Sequence, residues 1–279
     1  MITWAKKEWI PDLKQIWKCC FQDEDSYIDF YFSNRFKENN MIVFLEENRP
    51  IAMASLLPAV CWETEDGRKK SNLFYIYAVA TAPAFQGRGI SSQLMKYSMD
   101  FLEKNNAIGI LVPAEERLIP FYKKRGFYPA IKLPERKSQR YTEDLKAAEI
   151  ISLEEKETDF KFSEINPKEY KKIRDCHFAG RGYVEWDEES IQYAIAENKK
   201  NGGFTYGFFF QEQPHILMAY PTEKQLCVRE TTLSKMQWNQ YAPVLADKLD
   251  CRGLYQKSLF SMSNRKKWDE NGYLGLTLD

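Results

Sequence analysis

The fold of this chain is decided by the stretch Tyr77-Ala-Val-Ala-Thr-Ala-Pro-Ala-Phe-Gln-Gly-Arg-Gly-Ile-Ser-Ser92. Here an apolar strand ends, a turn carries Gly87 and Gly89, and a helix with an apolar stripe begins. Such a junction directs several free backbone N–H groups at one point, where the helix dipole adds roughly half a positive charge. Glycine allows an anion to approach closely, and Arg88 offers it a charge-assisted contact. The stretch therefore predicts a site for a phosphate or pyrophosphate.

Two glycines before a helix are a weak signal by themselves, because a plain tight turn explains them equally well. The dinucleotide pattern GxGxxG is not met, since Ser92 stands where its third glycine would be. The phosphate-loop ending Gly-Lys-Ser does not occur at this turn either. A nucleotide-binding fold is therefore the weaker interpretation.

The elements around this turn follow from hydrophobic periodicity. The sequence predicts helices at Ile10–Phe21 and Asp25–Lys37, a hairpin of Met41–Leu45 with Pro50–Val60, a strand at Leu73–Ala80, a helix from Gly89 to Asn105, a strand at Ile108–Val112 and a short helix at Pro120–Lys124. A similar order follows later, with helices at Pro167–Phe178 and Glu188–Lys199, a hairpin of Phe204–Phe210 with His215–Tyr220, a strand at Leu226–Thr231, a helix at Trp238–Leu249, a strand at Ser258–Met262, a helix at Asn264–Asn271 and a closing strand at Gly272–Leu278. The recurrence predicts a repeated fold. We expect a first domain over 1–135, a charged linker over 136–157 and a second domain over 158–279.

Composition limits the possible partners and location. Forty basic and forty acidic residues cancel in a chain of 279 residues, so no general field attracts nucleic acid or an anionic membrane. The six cysteines form no CxxC pair and there are two histidines, so we expect no metal site. The first residues lack the apolar core of a secretory signal, and no apolar run approaches the ~20 residues of a membrane span. We expect a cytoplasmic protein with reduced thiols.

Two segments resemble the GNAT family, the Gcn5-related N-acetyltransferases. The family signature Gln/Arg-x-x-Gly-x-Gly/Ala corresponds to Gln86-Gly-Arg-Gly-Ile-Ser91, with Ser91 in place of the usual Gly or Ala. Val79 and Pro83 also stand where the family pattern has them. The second segment, Tyr122-Lys-Lys-Arg-Gly-Phe127, is similar to the family ending Tyr-x-x-x-Gly-Phe. The two-domain layout is similar to the aminoglycoside acetyltransferases of the enhanced-intracellular-survival type.

The resemblance implies an α/β fold of two GNAT-like domains, each a mixed, mostly antiparallel twisted sheet flanked by helices. It implies an acetyl transfer from acetyl-CoA to a primary amine, with Tyr122 as the acid that protonates the leaving thiolate. A phenol of pKa ~10 can protonate a thiolate of pKa ~8.5 at neutral pH. The residues expected to hold the cosubstrate are Ala78, Val79 and Ala80 on the strand and Gln86, Gly87, Arg88, Gly89, Ile90 and Ser91 on the turn.

The sequence leaves the identity of the base that deprotonates the amine undecided. The family often places an acid on the strand before the turn, but Leu73–Val79 contains none. Its Tyr75 and Tyr77 could hold a water, although aromatic strand residues are usually core, and the acids of Glu63–Lys70 suit a solvated loop. By resemblance to the enhanced-survival type, the carboxylates of Asp279 are the other candidate, against the default of a frayed terminus.

The second half lacks the features of the site. Trp268 stands at the position matching Tyr122 and has no acidic proton to give. The stretch Glu230–Trp238, which matches the anion turn, contains no glycine. We therefore expect residues 158–279 to shape the substrate site without binding CoA, and we expect the scattered Arg174, Arg181 and Arg229 at the surface.

Two other functions fit the same residues. A module that senses acyl-CoA without catalysis would keep the glycine turn but would not need Tyr122. A protein N-acetyltransferase would require an open groove, which a sequence cannot reveal. The acceptor, a small-molecule or polypeptide amine, and the oligomeric state cannot be predicted from these residues.

Overall fold

The computed structural model describes residues 1–63, 69–140, 160–210, 212–268 and 272–276. Within these ranges the helices are α1 Ile10–Phe21, α2 Asp25–Asn34, α3 Ile90–Lys104, α4 Ile119–Lys123, α5 Pro167–Phe178, α6 Glu188–Lys200 and α7 Lys235–Lys248. The strands are β1 Ile2–Trp4, β2 Met41–Glu46, β3 Arg49–Glu63, β4 Lys69–Thr81, β5 Ile108–Leu111, β6 Tyr128–Leu133, β7 Arg136–Gln139, β8 Ser163–Glu164, β9 Tyr183–Glu185, β10 Phe204–Phe210, β11 Gln213–Pro221, β12 Leu226–Thr231, β13 Gly253–Gln256 and β14 Leu259–Ser263. The predicted α/β class with two mixed sheets flanked by helices is confirmed.

The first sheet has the strand order β1-β2-β3-β4-β5-β14-β6, with β9 paired to β3. Its first hairpin turns at Glu47 and Asn48, which both have positive φ, as a two-residue turn between right-twisted strands requires. All its pairs are antiparallel except β4 with β5. Side chains alternate across β4, so Tyr75 and Tyr77 face α1 and α2, whereas Ile76 faces α3.

The second sheet has the order β7-β13-β12-β11-β10-β8. It repeats the first sheet's plan of an antiparallel hairpin followed by a parallel pair, here β12 with β13. Helix α7 packs on one face of this sheet, around Trp238. The opposite face shares a core with α1, α2 and α6, in which Ile216 and Met218 join Trp17 and Tyr31. The helices between the sheets therefore belong to one continuous core.

The two halves exchange strands. β14, from the second half, lies between β5 and β6 of the first sheet, and β9 extends the same sheet at β3. In return β7 pairs with β13 at the edge of the second sheet. β7 falls in the range predicted as a linker, and residues 141–157 of that range lie outside the described residues. The domain boundaries at residues 135 and 158 thus stay a prediction. Each of the two sheets contains strands from both sides of these boundaries.

The helix predicted at Asn264–Asn271 is wrong over the part that the structure describes, since residues 264–266 form bends and residues 267 and 268 are irregular. Local polar bonds explain the difference. The Asn264 side chain accepts the Gly109 N–H at 2.9 Å, and the Arg265 N–H donates to the Ser263 hydroxyl at 3.1 Å. Such bonds compete with helical ones and instead tie this segment to β5. Residues 272–276 form no strand, and Tyr273 makes only an isolated bridge with Tyr183.

Arg174 is fully buried and the Arg229 side chain is only 11% exposed, so the expectation of surface charges at these two positions is wrong. The Arg174 Nε lies 3.1 Å from a carboxylate oxygen of Glu230, which is also fully buried. Tyr170 donates to the same carboxylate at 2.6 Å, and Arg174 Nη1 donates to the carbonyl of Val184 in β9 at 2.8 Å. The ion pair therefore holds α5, β12 and β9 together. No helix in the described part of the chain is long and apolar enough to cross a membrane.

Candidate active site

The strands β4 and β5 diverge beside the predicted site. They pair in parallel only from Leu73 to Tyr75, opposite Ile108–Ile110, and β5 ends at Leu111. β4 continues for six residues beyond Tyr75, so its last part has no β5 partner among the described residues. A gap thus opens along Ala78, Val79 and Ala80, the strand residues expected to hold the cosubstrate.

A bulge bends β4 at this gap. The register with β3 shifts between Met53 and Ser55, and Ala78 opposite them has φ +50°. A bulge re-aims the backbone of one strand relative to its partner. The backbone of Val79 directly follows this bend. The structure therefore places the predicted strand segment at the point where β4 leaves the regular sheet.

The turn after β4 is open on its outer side. Gly87 and Gly89 have φ values of +75° and +73°, which favour glycine, and a Cβ at either position would meet no atom within 4 Å. Gly89 is the N-cap of α3, and no side chain makes a capping hydrogen bond there. The first N–H groups of α3 are thus left without a side-chain acceptor, in the arrangement that suits an anion.

Polar side chains fix the inner side of the same turn. The Gln86 amide donates to the carbonyl of Thr81 at 2.9 Å, and the hydroxyls of Thr81 and Ser91 are 2.9 Å apart. Ser91, which departs from the family pattern, thereby ties the helix start to the strand end. Arg88, between the two glycines of the turn, forms an ion pair of 2.5 Å with Glu46 of β2. The hydrogen bond from Arg88 lowers the pKa of that carboxyl group.

The corresponding turn of the second half is closed by its own side chains. Ser234 caps α7, accepting the N–H of Gln237 at 3.2 Å, while the Gln237 side chain accepts the N–H of Ser234 at 2.9 Å. This capping box satisfies N–H groups that stay uncapped in α3. The start of α7 is therefore capped by its own side chains, whereas the start of α3 is not.

Tyr122 lies on α4, on the same face of the sheet as α3. The side chain is largely buried and packs edge-on against Phe127, with ring centroids 6.1 Å apart. Its hydroxyl makes no hydrogen bond with any residue that the structure describes. Burial raises the pKa of Tyr122 to about 12, so the phenol keeps its proton at neutral pH. The residue is in the protonation state that a proton donor requires.

Arg125 connects Tyr122's helix to the anion turn, a role that the sequence reasoning missed. Its guanidinium donates to the carbonyl of Phe121 at 2.6 Å and to the hydroxyl of Ser92 in the first turn of α3. The guanidinium also stacks 3.5 Å from the ring of Phe121. Its position inside the segment Tyr122–Phe127 was the only signal available in the sequence. The contacts fix α4 relative to α3.

The opposite face of β4 is aromatic and contains the other candidates. Tyr75 and Tyr77 stack with ring centroids 6.0 Å apart, and Tyr75 is buried while Tyr77 is partly buried. Leu276, near the end of the described chain, lines a small cavity with Tyr75, whereas Asp279 itself lies outside the described residues. The Glu63 carboxylate accepts hydrogen bonds from the Ser71 hydroxyl and from the Arg265 guanidinium. Residues 64–68 of the charged loop lie outside the described residues.

A cavity of about 170 Å³ lies between the two halves on this face. Its wall includes Tyr27 of α2, Glu197 of α6, Arg229 of β12 and the segment Tyr273–Leu276. The cavity is open on one side, and both sheets contribute to it.

Comparisons with known proteins agree with this geometry. Residues 2–130 match a family model described as an acetyltransferase (GNAT) domain. A search of curated proteins gives no match. Similar solved structures include a GCN5-related N-acetyltransferase from Anabaena variabilis ATCC 29413, with 17% identity and a TM-score of 0.72 over 94% of this chain and 72% of that chain.

Two further structures are similar over almost the whole length of this chain. A GCN5-related N-acetyltransferase from Kribbella flavida has 14% identity and a TM-score of 0.69, over 94% of this chain and 70% of that chain. Eis1 from Mycobacterium abscessus has 13% identity and a TM-score of 0.64, over 92% of this chain and 65% of that chain. At such identities the likeness shows a shared fold over more than nine tenths of this chain.

Proposed function

We propose that the protein is an acyl-CoA-dependent N-acyltransferase, because residues 2–130 match the acetyltransferase (GNAT) domain model. It moves an acetyl group from acetyl-CoA to a primary amine on a small molecule or a polypeptide. We place the reaction in the cytoplasm. The observation that carries the proposal is the combination of the diverging strands β4 and β5 with the uncapped, glycine-bearing start of α3.

The chain's own residues fit the cosubstrate. The open outer side of Gly87 and Gly89 leaves room for a pyrophosphate against the N–H groups of α3, and the gap beside Ala78–Ala80 leaves room for an extended arm. Arg88 can exchange its exposed partner Glu46 for a phosphate, because a surface ion pair of this kind is weak. Acetyl-CoA, when bound there, supplies the acetyl thioester.

The chain's own residues then act on two atoms of the thioester, the carbonyl oxygen and the leaving sulfur. The N–H of Val79, just after the bulge, donates to the carbonyl oxygen as negative charge develops on it. Tyr122 gives its proton to the departing thiolate, since burial keeps the phenol protonated while the thiolate needs a proton. Ser91 and Arg125 keep the turn and α4 in position.

The second half supports the site without a cosubstrate of its own. Ser234 and Gln237 occupy the N–H groups that would hold a pyrophosphate, and Trp268 carries no hydroxyl. The strands β9 and β14 instead complete the first sheet. We propose that this half shapes the cavity through which the acceptor enters. Asp279 as the base for the acceptor remains a prediction.

Calorimetric titration with CoA tests the proposal. We expect one CoA per chain, and we expect Gly89→Glu to abolish binding while the variant keeps its fold. A carboxylate about 5 Å from a phosphate charge costs about 3 kcal/mol at an effective dielectric constant of ~20, which corresponds to more than 100-fold in affinity. Two CoA molecules per chain, or unchanged affinity in a folded Gly89→Glu variant, would contradict the assignment of the site.

A further inference from the structure

A buried arginine at the end of α2 takes no part in the proposed reaction. Arg35, which directly follows α2, is 6% exposed. Its guanidinium makes no hydrogen bond or ion pair with any residue that the structure describes. It lies 5.9 Å from the centroid of the Tyr193 ring in α6. An arginine keeps its charge in proteins, and a buried charge without a counter-charge is costly. An anion beside Arg35 would remove this cost.

Two acidic side chains of α6, the helix that contacts Arg35, are engaged with other cations. Glu197 lies 2.6 Å from Arg229 of β12. Glu189, in the first turn of the helix, lies 2.6 Å from Lys37. Neither carboxylate is within ion-pair distance of Arg35. The described residues therefore leave the charge of Arg35 without a counter-charge.

The small cavity between Tyr75 and Leu276 adjoins this guanidinium. Ser190, in the first turn of α6, lines the same cavity and is 7% exposed. Its buried hydroxyl has no hydrogen-bond partner in the described part of the chain. Leaving such a donor unsatisfied also costs free energy. Two buried polar groups that need an acceptor, one from each half of the chain, thus border one space.

The rest of the cavity wall is aromatic or aliphatic. Trp186 uses its Nε1–H for the carbonyl of Gly275 at 2.8 Å, and the Tyr193 hydroxyl donates to Glu197 at 3.3 Å. Tyr75 contributes a ring that meets Trp186 edge to face, with centroids 5.9 Å apart. No carboxylate lines the cavity among the described residues. A wall with one guanidinium, one serine hydroxyl and no acid favours an anion over a cation.

The size of the cavity limits the anion to a small one. Its volume is about 10 Å³, which is close to the least that a single water-sized occupant requires. A halide ion is only a little larger than a water molecule, whereas a phosphate or an acetate has several heavy atoms. Arg35 and Ser190 both keep a little exposed surface, so an ion can exchange with solvent through small movements of the wall.

We propose that Arg35 and Ser190 bind a monatomic anion of the size of chloride. The ion neutralises the guanidinium and accepts the hydrogen bond of the serine hydroxyl. It joins the end of α2 in the first half to the first turn of α6 in the second half. The site goes beyond the proposed function, because its ligand is neither the cosubstrate nor the acceptor.

Thermal unfolding at constant ionic strength tests the site, with sodium chloride exchanged stepwise for sodium gluconate. Gluconate is too large for the cavity, so the chloride concentration changes while the total salt does not. A ligand that binds only the folded chain stabilises it with the logarithm of its concentration. We expect the wild-type Tm to rise by about 3–5 °C for each tenfold increase in chloride above its Kd. Bromide should act like chloride, and acetate like gluconate.

Three variants show whether the two side chains carry the effect. Arg35→Met removes the charge, so its Tm should be the same in chloride and in gluconate, and in gluconate no lower than that of the wild type. Ser190→Ala loses one oxygen atom and should need about tenfold more chloride for the same shift. Arg117→Met is the control, because this side chain is 78% exposed, and it should keep the full chloride dependence.

Three outcomes overturn the anion site. A wild-type Tm that is equal in chloride and gluconate would show that the cavity takes up no halide. Full chloride dependence in both Arg35→Met and Ser190→Ala would place the salt effect elsewhere on the chain. Stabilisation by acetate as strong as that by chloride would overturn the monatomic ion and indicate a carboxylate site.

A second measurement keeps the proposal testable if Arg35→Met does not fold. Anomalous diffraction from wild-type crystals grown in bromide should show an ion in contact with both Arg35 and Ser190. Bromide bound only at other places would contradict the assignment. Neither measurement depends on acetylation, so a failure of the anion site is distinct from a failure of the proposed function.

Discussion

Gly89, at the start of α3, allows the anion site to be tested, because a second glycine with a similar backbone conformation can serve as the control. Gly89→Ala places a methyl group on a residue with φ +73°, where the left-handed conformation costs roughly 1–2 kcal/mol. Gly180 has φ +85° and equally open surroundings, but it follows α5, far along the chain from the turn. Gly180→Ala should therefore destabilise the fold to a similar degree. For both variants we expect Tm to fall by about 2–4 °C for each kcal/mol.

The two variants should differ in CoA binding. The added methyl group of Gly89→Ala projects into the open side of the turn, where a phosphate would contact backbone N–H groups. Losing one hydrogen bond to a charged group costs about 1.5–3 kcal/mol, which raises Kd roughly 10- to 100-fold. Calorimetry at one temperature, well below both Tm values, should show this loss for Gly89→Ala and wild-type affinity for Gly180→Ala. Equal affinities for the two variants would refute the anion site.

Three further predictions concern catalysis and stability. Tyr122→Phe should lower kcat by about 100- to 10,000-fold with unchanged CoA affinity in calorimetry, because only the acidic proton is lost. Arg174→Met should lower the unfolding free energy in urea by about 3–5 kcal/mol, since Glu230 is left buried and unpaired, whereas Arg117→Met, at an exposed pair, should cost less than about 1 kcal/mol. Burial lowers the pKa of His215 to about 4, so wild-type stability should fall relative to His215→Asn as pH drops from 6.5 towards 4.

Each of these predictions has a result that contradicts it. Tyr128→Phe, at a ring that is 39% exposed, is the control for Tyr122→Phe, and similar kcat values in the two would remove Tyr122 from its role. Similar unfolding energies for Arg174→Met and Arg117→Met would show that the buried pair contributes nothing. For His215 the sign is fixed by the depressed pKa of the folded state, so a pH-independent difference from His215→Asn would mean that the imidazole is protonated normally in the fold.

The local parts of the site could be predicted from the sequence. The strand, the glycine turn and the start of α3 lie within Tyr77–Ser92, and the structure has them in that order. Periodicity also located α1, α5 and the hairpin of β10 with β11. These elements depend on contacts a few residues apart, which composition and spacing record directly.

The exchange of strands could not be predicted in this way. β14 has an apolar pattern that indicates a strand, but the pattern says which face is buried and not which strand is its neighbour. β7 reads Arg-Lys-Ser-Gln and lies at a sheet edge, where polar side chains are ordinary and leave no hydrophobic signal. Both strands are placed by pairing with residues more than a hundred positions away.

The burial of two charged side chains, Glu197 and Arg174, could not be predicted from the sequence either. Glu197 stands in a polar stretch, Glu-Asn-Lys-Lys, that suits a solvated helix end. It is buried because Tyr27 and Arg229, distant in sequence, approach it from two other elements. Arg174 is the same case, with Glu230 as its partner. Such pairs become visible only when the fold brings the partners together.

Acetyl transfer itself is tested most directly by following thiol release from acetyl-CoA in the presence of a polyamine, an aminoglycoside or a lysine-containing peptide, with mass spectrometry of the amine. We predict release that requires both the protein and an amine, with one acetyl group gained by the amine for each thiol released, and its loss in Gly89→Glu. A wild-type chain that binds CoA in calorimetry but releases no thiol with any of these amines would contradict the account and favour a module that senses acyl-CoA without catalysis.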